Sequence, residues 1–363
     1  QTYLELAIRY YNRGLKDDAI KILEIGPNNM MNKIWSAYLR DDVNIIKQEL
    51  PKHKIDFQFP HRRETIKVLE WAKSELKNWK IDYLLALNLY HKGRFEDAID
   101  LLNKIGDEPE NSIFYLNRGL IFEMNGINPM KDFEKAYEID NKNWRISKSL
   151  SDINFKSLNY ISSYNILKDC YKNNKSNYII GMDYVKVLLK LEKFKEAVNI
   201  LNEIQILPYE HAGEGRELYA EAYRRLALKE INNKKFISAI NLLNDSKKWP
   251  ENLGVGKPYD PEERIEDYLL FYCYKRLGEP SPKNYLSKIV DYTEKNIDKN
   301  KIENILGYLA IKNKEGRIPA EKFLARLNDI HGNNSTTMKF IYDFEKNKVV
   351  DDRHHYDVIN KIL

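Results

Sequence analysis

Apolar residues recur along this chain at spacings of three and four, and no strand-like alternation persists anywhere. Positions i, i+3, i+4 and i+7 fall on one stripe of a helix, so the pattern predicts amphipathic helices from end to end. Three stretches superpose. They are Leu6-Ala7-Ile8-Arg9-Tyr10-Tyr11-Asn12-Arg13-Gly14 with Ala19 and Leu23, Leu85-Ala86-Leu87-Asn88-Leu89-Tyr90-His91-Lys92-Gly93 with Ala98 and Leu102, and Tyr184-Val185 through Leu188 with Ala197 and Leu201. In the first two, a small residue stands seven before a Gly and an Ala follows that Gly by five. The third keeps the Ala but has Glu192 in the Gly position. The Gly predicts a left-handed residue that stops the first helix. The Ala lets the second helix lie close against it. Each unit is thus a helix hairpin that must stack on neighbours to bury its face.

Residues 113–140 (Gly119, Phe122, Gly126, Ala136), 217–243 (Ala227, Ala239) and 261–296 (Tyr274, Gly278) extend the series, while 144–174 fits it loosely. Residues 34–50 read as a short hairpin. An irregular stretch, 51–60, holds Phe57 and Phe59, and an amphipathic helix over 62–77 is extra to the pairwise count. Residues 301–363 predict three or four closing helices, the last starting near Asp351, with an N-cap at Ser335-Thr336-Thr337. This order of small residue, aromatic, Gly and Ala resembles the tetratricopeptide repeat. The resemblance implies an all-α fold, a right-handed α-solenoid of stacked antiparallel helix hairpins. The whole of 1–363 is expected as one domain: N-terminal hairpins to 50, the insert and extra helix over 51–79, main repeats over 80–296 and caps over 297–363.

Regular units recur every 34 residues, whereas Ala197 to Ala239 spans 42 and the following interval spans 44. The excess falls in Leu207-Pro208-Tyr209-Glu210-His211-Ala212-Gly213-Glu214-Gly215-Arg216 and in Trp249-Pro250-Glu251-Asn252-Leu253-Gly254-Val255-Gly256-Lys257-Pro258-Tyr259-Asp260-Pro261. These 23 residues hold 4 of the 15 Gly and 4 of the 12 Pro. Both segments run from the second helix of one hairpin to the first helix of the next. In a solenoid such connections emerge on one edge, so the two are expected side by side, packed closely through their glycines and covered by Trp249 or Tyr259.

The same two segments, with Phe57-Gln58-Phe59-Pro60-His61-Arg62 before the extra helix, resemble the C-terminal helical-repeat half of a bacterial family. Proteins of that family carry an N-terminal mutarotase-like β-sandwich of unknown function. The likeness covers most of the chain and is strongest over 205–280. It implies a repeat module in a carbohydrate-related system whose partner is a β-sandwich domain absent from this chain. The chain opens on Gln1 with no basic and apolar leader pattern, so the sequence is expected to be cut at an internal boundary or trimmed by processing.

Composition narrows the chemistry. With 59 Lys+Arg against 54 Asp+Glu, interspersed, the net charge of +5 argues against a nucleic-acid binder that works by bulk charge. No apolar run approaches a membrane span, which predicts a soluble chain. Two cysteines, Cys170 and Cys273, build neither a disulfide framework nor a thiolate zinc site. Tyr, at 25, is abundant, as compositional bias alone would make it. Gly254-Val255-Gly256-Lys257 is no phosphate loop, because Pro258 follows the Lys and no strand precedes it. His211 has no nearby second His, and adjacent His354-His355 point apart on a helix. Neither metal nor cofactor is expected.

Two functions remain. The first is a non-enzymatic scaffold for protein–protein or interdomain contact. Its interaction loops would comprise His211, Gly213, Glu214, Gly215 and Arg216 with Trp249, Asn252, Gly254, Gly256, Lys257, Tyr259 and Asp260. Carried over from the tetratricopeptide pattern, its concave groove would present Tyr83, Leu87, Tyr90 and His91; Leu116, Leu120 and Glu123; Met182 and Lys186; Arg224 and Leu228; and Tyr268, Tyr272 and Lys275. Tyr, Lys and Arg in a groove suit an extended peptide or another protein. The rival is a carbohydrate-active or carbohydrate-binding α/α toroid using a carboxylate pair from Glu210, Glu214, Glu251, Asp260 and Glu262.

Overall fold

The computed structural model describes residues 2–208, 212–279, 283–332, 335 and 338–339. Nineteen α-helices and one short 3-10 turn make up the regular structure among the described residues, with no strand. The chain groups into two compact units, Gln1–Asn159 and Tyr160–Leu363.

In the first unit, α1 (Thr2–Tyr11) pairs with α2 (Lys16–Ile25), and α3 (Met30–Arg40) with the short α4 (Val43–Glu49). The helix expected as an extra, α5 (Arg63–Glu75), packs on α3 and on the next helix, α6 (Trp79–His91). It stands between the pairs α3–α4 and α6–α7, beside an α4 whose 7 residues make only about two turns. Then α6 pairs with α7 (Phe95–Ile105), α8 (Ser112–Met124) with α9 (Met130–Ile139), and α10 (Trp144–Lys156) packs on α9.

The second unit opens with α11 (Tyr160–Asn173), and α12 (Tyr178–Lys190), α13 (Phe194–Glu203), α14 (Glu214–Asn232) and α15 (Phe236–Ser246) each pack on the helix before. A 3-10 turn (Glu251–Leu253) leads into α16 (Arg264–Leu277), and α17 (Lys283–Lys295), α18 (Asn304–Glu315) and α19 (Arg317–His331) continue the series. Ser335 Oγ accepts from Met338 N at 3.3 Å, the N-cap contact the sequence predicts. Asp351 and His354-His355 lie outside the described residues.

One turn recurs throughout. Gly14, Asp41, Gly93, Gly126, Leu158, Glu192, Lys234 and Gly278 all have φ between 53° and 79°. The residue after each donates its N–H to the carbonyl five before it, at 2.8–3.1 Å. This left-handed closure satisfies carbonyls that the helix end leaves open. Glu192 therefore adopts the conformation of the Gly it replaces, and Leu158 marks the turn in the stretch that fits the pattern loosely. At the starts of α3, α6, α8, α10 and α12, the side chains of Asn29, Asn78, Asn111, Asn143 and Asn177 accept backbone N–H groups at 2.7–3.2 Å. The small positions are buried as expected: Ala7, Ala19, Ala86, Ala98, Ala197 and Ala239 are at most 1 % exposed. A Cβ on Gly119 would stand 2.6 Å from the Phe133 ring of α9, so α8 and α9 approach over a glycine.

Candidate functional site

The first unit holds a groove of about 690 Å³ between α6 and α8, lined by Leu87, Tyr90 and His91 on one side and Asn117, Leu120, Ile121 and Met124 on the other. Phe95, at the start of α7, and Phe59-Pro60-His61 also line it. Leu120 is 37 % and Met124 75 % exposed, so apolar surface faces outward here. Polar contacts hold the walls. Tyr83 OH, beneath the groove, accepts from Asn117 Nδ2 at 2.5 Å, and burial pushes its phenol pKa well above the ordinary value. Asn125 Nδ2 donates to Tyr90 OH at 3.2 Å, and Glu123 reaches Lys156 of α10 at 2.6 Å.

The irregular segment before α5 lies against α1, α6 and the starts of α8 and α10. Lys80 Nζ donates to the carbonyls of Leu50 (2.9 Å) and His53 (3.3 Å). Asn111 Nδ2 donates to Asp56 Oδ1 at 2.8 Å, and the Arg145 guanidinium sits 5.8 Å from the centre of the Phe57 ring. Asn88 Nδ2 donates to the Arg62 carbonyl at 3.1 Å, and His61 Nε2 meets Glu5 Oε1 of α1 at 2.9 Å. A second cavity of about 420 Å³ opens on the other side, lined by Leu4, Met31, Phe57 and Arg62 among others. It shares Phe59, Pro60 and His61 with the groove.

In the second unit the two lengthened connections do lie against each other. Ile206 N donates to Asn252 O at 2.8 Å, and Asn252 Nδ2 donates to the carbonyls of Leu201 (2.9 Å) and Ile204 (2.8 Å). Gly254 has φ +72°, and a Cβ there would be 2.7 Å from Ile206 O. At Gly215 a Cβ would meet the Ile206 side chain, whereas Gly256 faces open space. Trp249 packs 4.5 Å from the Arg216 guanidinium, which donates to Ser246 O at 2.7 Å, so the tryptophan covers the join. Tyr259 does not; it is fully exposed, as are Gly256, Lys257 and Asp260 in whole or part. His211 and Glu210 lie outside the described residues.

Beneath the join is a buried ionic cluster. Arg224 reaches Glu221 (3.5 Å) and Glu266 (3.4 Å), and Lys247 reaches Glu263 (2.9 Å) and Asp267 (2.7 Å). Burial raises the Glu266 pKa in spite of Arg224 and Arg216 nearby. Burial also lowers that of Arg216. Two of the loop carboxylates offered for a catalytic pair have cationic partners: Glu214 meets Lys186 at 2.6 Å and Glu262 meets Arg264 at 2.6 Å. Burial works against the Lys186 charge, but Glu214 and Asp183 more than offset it and hold its pKa above the ordinary value.

The structure sorts the expected groove positions. Leu87, Tyr90, His91 and Leu120 come together in one groove. Tyr83, Leu116, Met182, Leu228 and Tyr268 are buried in helix packing and offer no surface. Lys186 and Arg224 are engaged by carboxylates, while Tyr272 accepts from Arg276 Nε at 3.2 Å and Lys275 lies over Phe271. The sequence reading missed Asn88, Asn111, Asn117, Met124 and Arg145. Among the described residues no cluster of His, Cys, Asp and Glu is arranged to hold a metal ion, and no helix is long and apolar enough to cross a membrane.

The chain matches no family profile and no curated protein. Solved structures similar to it include PilW, described as a widely conserved type IV pilus biogenesis factor, at 14 % identity over 74 % of this chain and 99 % of that one, TM-score 0.36. A tetratricopeptide repeat protein from Parabacteroides merdae is similar at 17 % identity over 75 % and 97 %, TM-score 0.35. Yeast Tom70 is similar at 13 % identity over 99 % and 91 %, TM-score 0.36. Likeness of this degree says nothing of what the chain binds.

Proposed function

We propose that this chain is a non-enzymatic helical-repeat scaffold whose first unit binds an extended segment of another protein in the α6–α8 groove. The observation that carries this reading is the groove itself. Leu120, Met124 and Phe59 expose apolar surface beside the amide of Asn117, the mixture an extended backbone with apolar side chains needs. A peptide-display selection against the whole chain tests it. Selected peptides should lose at least ~10-fold in affinity to a Leu120→Arg, Met124→Glu variant, both positions being exposed enough to leave the fold intact. Equal affinity for the variant would sink the reading.

The Gly-rich join suggests a second surface, where Leu207 and Tyr259 expose apolar side chains on a backbone fixed by the Asn252 contacts. On this reading the join meets a β-sandwich domain like that of the resembling family. Tyr259→Ala should then weaken binding of such a domain added in trans, measured by calorimetry.

A further inference from the structure

The stretch 56–59 differs from the rest of the segment that holds it. On either side the chain is anchored by buried apolar residues, Ile55 and Pro60. Between these anchors, Phe57 is 52 % and Phe59 56 % exposed. Two contacts tie the stretch to the helices: the Asn111 amide to the Asp56 carboxylate, and the Arg145 guanidinium to the Phe57 ring. Phe57 has φ +56°, a left-handed turn that a Phe occupies at a cost. Phe59 and Pro60 line both neighbouring cavities and so divide them. Lifting four residues about the two anchors would free the Asn111 amide, uncover the Arg145 guanidinium where it stands over Trp144, and withdraw Phe59 from both cavities.

Resting on the peptide-binding reading of the groove, we infer that residues 56–59 form a flap that imitates the ligand. The ligand is an extended peptide carrying an acidic residue followed by an aromatic one. It takes over Asn111 with its carboxylate and Arg145 with its ring, and the displaced flap lets the rest of the peptide run on into the α6–α8 groove. The chain thus recognises in its own flap the chemistry it accepts from a partner. A tethered flap competes at an effective concentration on the order of millimolar, so only a longer peptide that also fills the groove displaces it readily.

A fluorescent peptide of the flap sequence, Lys-Ile-Asp-Phe-Gln-Phe-Pro-His, titrated by anisotropy against the full chain provides the test. The release variant is Asp56→Ser with Phe57→Ala, which removes both ties and keeps the left-handed cost of the closed flap. It should bind the peptide at least ~10-fold more tightly than the unaltered chain does. Adding Arg145→Ala, an exposed position, should abolish the gain, as should a peptide with Lys in place of its Asp. Circular dichroism confirms that each variant is folded. Equal affinity for the unaltered chain and the release variant would overturn the inference. So would no binding to a folded release variant that still takes peptides selected on the groove, and that outcome leaves the groove reading standing. If the selected peptides also fail to bind the groove, the reading beneath the inference falls too.

Discussion

Glycines in this chain are not interchangeable, and Gly254 and Gly256 make the contrast. At Gly254 two demands coincide: φ of +72°, and a neighbouring backbone oxygen 2.7 Å from where a Cβ would lie. A carbonyl oxygen held by its own chain cannot step aside as a side-chain tip can. Gly254→Ala should therefore cost about 2–4 kcal/mol, from left-handed strain and overpacking together. Gly256→Ala, with open space around it, should stay within about 0.5 kcal/mol of the parent. Thermal denaturation of the two variants side by side checks this, and similar melting temperatures would refute the assignment of Gly254 to a tight join. Gly215 falls between them, since the Ile206 side chain it meets can rotate away.

At the scale of the element, the left-handed turn is the unit of repetition, and four of its eight occurrences carry a side chain. Lys234, exposed at φ +59°, bears the cost of a Cβ in that conformation. Lys234→Gly should stabilise the α14–α15 hairpin by about 0.5–1 kcal/mol, the relieved strain less the extra freedom of glycine in the unfolded chain. Chemical denaturation measures it, and a loss of stability would show that the Lys contributes more than its backbone costs. The same turn explains which elements were legible in the sequence. Hairpins with Gly14, Gly93 and Gly126 were read directly. The turn at Leu158 was read only loosely because Ser151 and Leu158 stand where Ala and Gly would, though Ser151 is buried and Leu158 is left-handed all the same. The neighbours of α5, namely α3 and α6, are not legible in the sequence, because an amphipathic stripe says that a helix packs and not upon what. Four of the twelve residues lining the groove follow from the repeat pattern: Leu87, Tyr90, His91 and Leu120. Tyr83 and Leu116 were placed there by pattern, but close helix packing draws them into the core. Asn111 and Arg145 were illegible, since they contact a segment without periodicity, and no spacing rule brings an irregular stretch back onto a helix.

For the whole molecule, charges of both signs are spread along the chain, so the modest net charge of +5 favours no polyanionic partner. The intrinsic probes fall unevenly on the two compact units. Trp35, Trp71, Trp79 and Trp144 lie in Gln1–Asn159, whereas Trp249, Cys170 and Cys273 lie in Tyr160–Leu363. Both thiols are buried, and burial pushes the Cys273 pKa up to about 11. The sign follows from linkage: the stability gained by keeping this thiol neutral is complete below its ordinary pKa of 9.0 and is lost as pH rises through about 11. At pH 8 Cys273 should therefore react only when the second unit opens. Arrays of nearest-neighbour contacts lose cooperativity with length. Urea titrations followed by tryptophan fluorescence and by thiol labelling at pH 8 should accordingly give different midpoints. Coincident curves would mean that the two units unfold as one.

A turn specified by a dihedral angle and not by a residue type has an evolutionary consequence. Once tertiary packing enforces the left-handed conformation, glycine there is a preference and not a requirement, and side chains such as those of Lys234 and Leu158 are accommodated at a tolerable loss. Descent then erases the consensus letter by letter while the architecture stays intact. Copies of the ancestral hairpin can diverge beyond recognition in one genome and still stack.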